Sequence, residues 1–183
     1  RYRDYVIDSF NADTPYDRFI LEQLAGDLLP AANPKEFATN IVATGFLATG
    51  VKLVAEEEGR RFFADMVDEQ IDATTRVFLG TTVACARCHD HKFDPITARD
   101  YYAMAGVFAS MQMVNLRPDG KDEDGKTLAD KMDPGTLHIV RDVNPHDLPV
   151  YDRGDVKSPG PNVPRGWLQV LSKDEPVKFQ QGS

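Results

Sequence analysis

The sequence predicts a mainly α fold with an irregular, partly β C-terminal extension, and three observations carry that prediction. Apolar residues recur every three or four positions through the first two-thirds of the chain. Capping residues stand just ahead of several of those stripes. Beyond Met113 the texture turns polar, then alternating and rich in proline.

The helices come in order. In "TPYDRFILEQLAGDLLP", Thr14 is placed to cap and Pro15 to open a helix. Tyr16, Ile20, Leu24 and Leu28 then fall on one face, and Pro30 closes the segment. "NPKEFATNIVATGFLATG" repeats the pattern: Asn33 caps, Pro34 follows, and Phe37, Ile41 and Val42 share a face. A longer helix is expected within residues 58–79 on the stripe Phe63, Val67, Ile71 and Phe78, with Asp65, Asp68, Glu69 and Asp72 as a solvated acidic surface. A fourth begins at Thr97, with Asp100 in capping-box relation, and runs toward Met113. Residues 114–136 read as a polar loop. As a calcium loop it fails: Gly125 at the sixth position puts Gly120 first and Lys131 where a glutamate is needed. "LHIVRDV" and "LPVYDRG" alternate as short strands, and the many later prolines, Pro159, Pro161 and Pro176 among them, predict an irregular tail.

Composition narrows the function. Hydrophobic residues make up 42% and charged residues 27%, which suits a soluble globular protein. A net charge of −8 argues against nucleic acid as a partner, because phosphate binding needs a basic face. No apolar run is long enough for a membrane-spanning helix. Two cysteines are too few for a disulfide framework. The chain starts Arg-Tyr-Arg-Asp, which reads as a mature or excised piece.

Both cysteines and two of the four histidines sit in "TTVACARCHDHKFDP", residues 81–95. A zinc site needs a second ligand pair, and none follows Cys85 and Cys88 at finger spacing. A redox dithiol needs a preceding strand, whereas the residues before Cys85 read as a continuing helix. Covalent haem uses every residue of Cys-x-x-Cys-His: Cys85 and Cys88 share a face and reach two vinyl groups of one porphyrin edge, and His89 offers a nitrogen to the iron. Around this core, Arg87 faces a propionate or solvent. His91 bonds a propionate, or fixes the local turn with Asp94 ahead of Pro95, or is a surface histidine.

"DMVDEQIDATTRVFLGTTVACARCHDHKFDPITARDYYAMAGVFAS" resembles the planctomycete-type cytochrome c domain family. "RYRDYVIDSFNADTPYDRFILEQLAGDLLP", "ATGFLATG" and the tail "LPVYDRGDVKSPGPNVPRGWLQVLS" fit the same family. The resemblance implies that Cys85, Cys88 and His89 are the haem site and that residues 91–95 belong to the family pattern. It also implies a central slice of a larger secreted multi-domain protein. The expected organisation is a helical, c-type cytochrome-like haem domain at 1–113, the polar loop at 114–136, and an extension at 137–183 packing on it or on a partner.

The function expected is that of a monohaem c-type cytochrome domain transferring electrons in the periplasm or another extracytoplasmic space, with a redox partner protein or adjacent domains, and with oligomerisation open. The competing readings are a peroxidase- or oxidase-like haem enzyme with an open distal side, and a structural or assembly module stabilised by its haem. For the sixth iron ligand the sequence offers Met111, Met113, His138 and His146, with Met104 and Met132 behind them. His91 is excluded from the same iron by its closeness to His89.

Overall fold

Helix α1 (Tyr2–Asn11) places Asp4 in its first turn, where the helix dipole favours an acid, and buries Tyr5 and Ser9 one turn apart. The computed structural model describes residues 1–51, 58–117, 119–127 and 137–172. Helix α2 (Tyr16–Ala25) has Pro15 at its N-cap and no side-chain cap, so Thr14 does not play the capping role expected of it. Its buried residues are Glu22 and Gln23. Of the expected stripe, Tyr16 and Leu28 are exposed. The reason is a set of polar partners that removes the cost of burying these groups. The Tyr5 hydroxyl donates to Glu22 at 2.9 Å, Arg18 Nε donates to the other Glu22 oxygen at 2.6 Å, and the Tyr2 hydroxyl donates to Gln23. Helix α3 (Pro34–Ala43) follows expectation, with the Asn33 side chain accepting the Glu36 N–H at 2.9 Å.

These helices, a 3₁₀ segment over Thr44–Ala48, and the paired strands β1 (Met111–Leu116) and β2 (Leu137–Asp142) supply the first of two compact units, residues 1–49 with 112–142. Its core joins Tyr5, Ile41, Val42 and Ala43 to Val114, Leu116, Leu137 and Ile139. At its turn, Asp122 pairs with Arg141 at 2.8 Å and also accepts the Lys126 N–H at 2.8 Å.

The second unit comprises residues 50–111 with 143–183. It holds α4 (Gly59–Thr74), a π-helical turn (Thr75–Leu79), α5 (Ala98–Ala109) and a two-stranded sheet. In that sheet β3 (Leu148–Tyr151) runs antiparallel to β4 (Pro159–Val163), pairing Leu148 with Val163 and Pro149 with Asn162. The capping box of α5 is formed as expected, with Thr97 and Asp100 exchanging bonds. The core gathers Val67, Ile71, Val83, Ala86, Ile96, Met104 and Phe108. Both units are assembled from separated stretches of chain, so the helical and strand-forming segments of the linear partition are shared between them.

Three expectations are corrected. Helical segments make up about half the chain, so the fold is mixed α and β, with small sheets in the C-terminal part, rather than mainly α. Helix α5 ends at Ala109, and Met111 and Met113 lie in β1 instead of a fraying helix end. The expected loop therefore starts after Leu116; its residues 118 and 128–136, including Lys131 and Met132, lie outside the described residues, as does Pro176. Pro159 and Pro161 sit inside β4, which is possible because each strand of a two-stranded sheet has a free edge needing no donor. Among the described residues no helix is long and apolar enough to cross a membrane.

Candidate functional site: the turn at residues 80–98

The site begins where α4 ends. Its π-helical turn stops at Gly80, whose φ of +64° is the left-handed conformation that glycine adopts without a Cβ penalty. The helical pattern expected to run into Cys85 is thus broken, and residues 81–83 are neither helix nor strand. A 3₁₀ turn follows at Ala84–Arg87, with the Ala86 N–H donating to the Val83 carbonyl at 2.8 Å. Three residues per turn bring positions i and i+3 onto one side. Val83 and Ala86 take the inner side and are fully buried, while Cys85 and Cys88 take the outer side and are exposed. Two small apolar anchors thus hold the backbone while both thiols face out.

His89 is exposed, and its Nδ1 lies 2.8 Å from the Asp90 carbonyl. A carbonyl only accepts, so Nδ1 carries the proton and Nε2 is left with its lone pair. Asp90 in turn accepts the Ala98 N–H at 2.8 Å, tying the motif to the start of α5.

His91 has another task. Its Nδ1 accepts backbone N–H groups from Asp94 at 2.9 Å and Phe93 at 3.3 Å, and its own N–H donates to Ile96 at 2.8 Å. The Asp94 carboxylate also lies 3.3 Å from that nitrogen. Because Nδ1 is occupied as an acceptor, this contact is not an ion pair. His91 and Asp94 fold the turn over 91–96, whose inward anchor is the buried Ile96. Phe93 stands out at 82% exposed.

Arg87 turns inward, away from solvent. Its side chain is 18% exposed, and its Nη1 meets Asp65 at 2.7 Å and Asp68 at 3.5 Å. Its carbonyl accepts the Tyr102 hydroxyl at 2.9 Å. The Tyr101 hydroxyl donates to Asp68 at 2.7 Å. The acidic face of α4 is therefore not simply solvated: Asp65 and Asp68 receive Arg87, Asp72 pairs with Arg76 at 2.8 Å, and Glu69 folds over Gly50. Burial holds the Asp68 carboxyl above the usual range, against the opposing pull of the Tyr101 hydroxyl and of Arg87. Burial likewise raises Tyr101 and pushes Tyr102 up to about 12. Spacing carried a signal for this network, two acids three apart and a lone arginine between the cysteines. The partner tyrosines gave none that marked them apart from core residues.

A cavity of about 550 Å³ in the same unit is lined by Cys88, Arg61, Arg153, Gly154 and Lys157. Gly154, at φ +76°, approaches the thiol so closely that a Cβ there would stand 2.9 Å from Cys88 Sγ. Sequence reasoning missed this segment, which is far from the motif along the chain. The other ligand candidates are dispersed. Met104 is fully buried in α5, Met111 and Met113 are partly buried in β1, His138 is exposed in β2, and His146 is exposed with Nδ1 against the Asn144 carbonyl at 2.8 Å. Among the described residues, no three or more of His, Cys, Asp and Glu converge to hold a metal ion on their own.

The residues present are of the kind a covalent porphyrin would need. The donor set is two outward thiols on one turn, followed by an imidazole with a free Nε2, and the glycine beside Cys88 leaves room that a side chain would fill. Residues 1–113 match the family model PSCyt2, described as a protein of unknown function (DUF1549). No curated protein and no solved structure gave a match.

Proposed function

We propose that this chain, which belongs to the PSCyt2 family, is a monohaem c-type cytochrome domain that carries electrons outside the cytoplasm. The observation that carries the reading is the 3₁₀ turn that buries Val83 and Ala86 and turns Cys85 and Cys88 out together, with His89 next in line. Cys85 and Cys88 would hold the porphyrin by thioethers, and His89 Nε2 would be the nitrogen offered to its iron. The Asp90 carbonyl, bonded to Nδ1, fixes the orientation of the ring, as hydrogen bonds do for other metal-bound histidines. Arg61 and Arg153, which line the cavity beside Cys88 together with Lys157 and its partner Glu58, are the cations that would meet the propionates. Arg87, Asp65 and Asp68 keep the turn in shape. When bound, the haem supplies a one-electron couple whose potential the protein tunes through its second ligand and burial. The cytochrome-like character of the helical part, the periplasmic or secreted location, and a redox partner or neighbouring domain belong to the same reading.

The test is covalent attachment. Protein produced with a c-type maturation system should keep its haem through acid–organic extraction and gain the mass of one haem. Cys85→Ala or Cys88→Ala should leave one thioether at most and shift the pyridine haemochrome spectrum. Haem released on extraction sinks the proposal. In the intact protein a low-spin, six-coordinate spectrum that survives His91→Ala supports electron transfer. A five-coordinate, high-spin spectrum moves the reading to a haem enzyme with an open distal side.

A further inference from the structure

In the first unit, the link between α1 and α2 encloses a cavity of about 160 Å³, lined by Ser9, Phe10, Asp13, Thr14, Tyr16 and Phe19. Two of its rings stand outside any core, Phe10 at 74% and Tyr16 at 63% exposed. Phe19 is the fixed wall. Its ring stacks at 5.9 Å on the buried Tyr5, whose hydroxyl is held by Glu22, and Phe10 meets it edge-on at 5.7 Å. Tyr16 stands three residues before Phe19 on α2, the spacing that shares a helix face. An apolar cavity of about 150 Å³ accepts benzene, so this one has room for a single compact group.

The remaining side is a carboxylate. Asp13 follows the end of α1 at φ +51°, the left-handed conformation in which glycine or asparagine is the usual residue. The turn is closed by the Asp13 N–H on the Phe10 carbonyl at 3.2 Å and the Thr14 N–H on the Ser9 carbonyl at 3.0 Å. Folding by itself would favour glycine there; aspartate brings a charge instead. That carboxylate enters no ion pair among the described residues. The nearest bases along the chain are engaged, Arg3 with Asp4 and Arg18 with Glu22 and Glu36. Between them, residues 4–17 hold four acids and no base. The sign of the charge is thus set by a residue of the lining itself. Rings and carboxylate favour the same ligand, because the quadrupole of an aromatic ring also attracts a cation. A primary ammonium is strongly hydrated, whereas a quaternary one covers its charge with methyl groups that suit an aromatic wall.

We propose that this cavity binds a quaternary ammonium group, its methyls against Phe10, Tyr16 and Phe19 and its charge opposite Asp13. The inference lies wholly within the first unit and rests on neither the haem nor its motif.

The test titrates the full chain with choline and with 3,3-dimethylbutanol, its uncharged carbon counterpart, followed by NMR shifts and by nuclear Overhauser contacts from the ligand methyls to the three rings. Choline should saturate with contacts to all three and bind at least about threefold tighter than the alcohol, the margin that cation–π attraction gives at exposed sites. Asp13→Asn keeps a residue suited to the left-handed turn and should weaken choline about threefold while leaving the alcohol unchanged. Phe10→Leu, at an exposed position, should weaken choline by a similar factor with the circular dichroism unchanged. Flotation with phosphatidylcholine vesicles, competed by choline, would support the proposal with a lipid headgroup as the source; choline binding without flotation would support it with a free solute. The alcohol binding as tightly as choline, an absence of ring contacts in the unmodified protein, or choline binding undiminished in folded Asp13→Asn would each overturn it.

Discussion

Arg87 is where the chemistry of the motif and the stability of the fold meet. It occupies a free position of Cys-x-x-Cys-His, yet its side chain is committed to Asp65 and Asp68, which are 30% and 27% exposed. Removing a cation from a partly buried pair leaves two carboxylates facing each other without compensation. Arg87→Ala should therefore cost about 2 kcal/mol, below the full penalty for a buried pair because water still reaches the acids. Tyr101→Phe deletes the hydroxyl that Asp68 accepts, a hydrogen bond to a charged group worth about 1.5–3 kcal/mol. The two substitutions share Asp68, so their effects should be non-additive. Urea unfolding of the two single variants and the double variant measures this. Additive losses would show that the arginine and the tyrosine act apart.

At the scale of elements, the two glycines that bound the site make separable predictions. Gly80 ends the π-helical turn at φ +64° with nothing near its missing Cβ, so Gly80→Ala should cost only about 1 kcal/mol of backbone strain and leave haem loading unchanged. Gly154→Ala meets the same strain and also the Cys88 sulfur, so it should cost more, about 1–3 kcal/mol, and lower the fraction of chain carrying haem. Thermal unfolding and the haem-to-protein ratio separate the cases; equal loading in both variants would remove Gly154 from the proposed attachment site. The contrast also shows what was legible in the sequence. Caps at Asn33 and Thr97 are contacts within a few residues, so sequence reasoning found them. The long helix expected within residues 58–79 is α4 with its π-helical turn, ended by Gly80, whereas the helical pattern read as continuing toward Cys85 stops there. Helix α2 was misread because Glu22 and Gln23 are buried by tyrosines of α1, and no periodicity within α2 records that. The outward pairing of Cys85 and Cys88 was legible from spacing, whereas Gly154 over Cys88 depends on the β3–β4 hairpin being folded against the turn.

For the whole molecule, the buried phenols set the behaviour in alkali. Tyr5 in the first unit and Tyr101 and Tyr102 in the second are all raised, chiefly by burial, and Tyr102 reaches about 12. An unfolded tyrosine ionises near pH 10. Between that pH and the folded values, the folded state holds protons that the unfolded chain has released, so stability falls as pH rises. The contribution of Tyr102 is complete below about pH 10 and is lost as pH climbs through about 12, and those of Tyr5 and Tyr101 have the same sign. Asp27 and Asp68 follow the same sign at the other end of the scale: burial raises both, so their contribution is full below the ordinary carboxylate range and declines above it. The expected result is an alkaline unfolding transition in which tyrosinate absorbance from these buried residues rises together with loss of helical circular dichroism. Tyr102→Phe keeps the ring against Tyr151 and removes the titrating group, so it should move the transition to higher pH, offset by the hydrogen bond lost at the Arg87 carbonyl. That offset is about 1 kcal/mol at every pH, whereas the titration effect grows with each unit above 10. The variant should therefore be less stable than the parent at pH 7, and the gap should narrow progressively above pH 10. A gap that stays constant across the alkaline range would mean that Tyr102 ionises as freely in the folded chain as in the unfolded one.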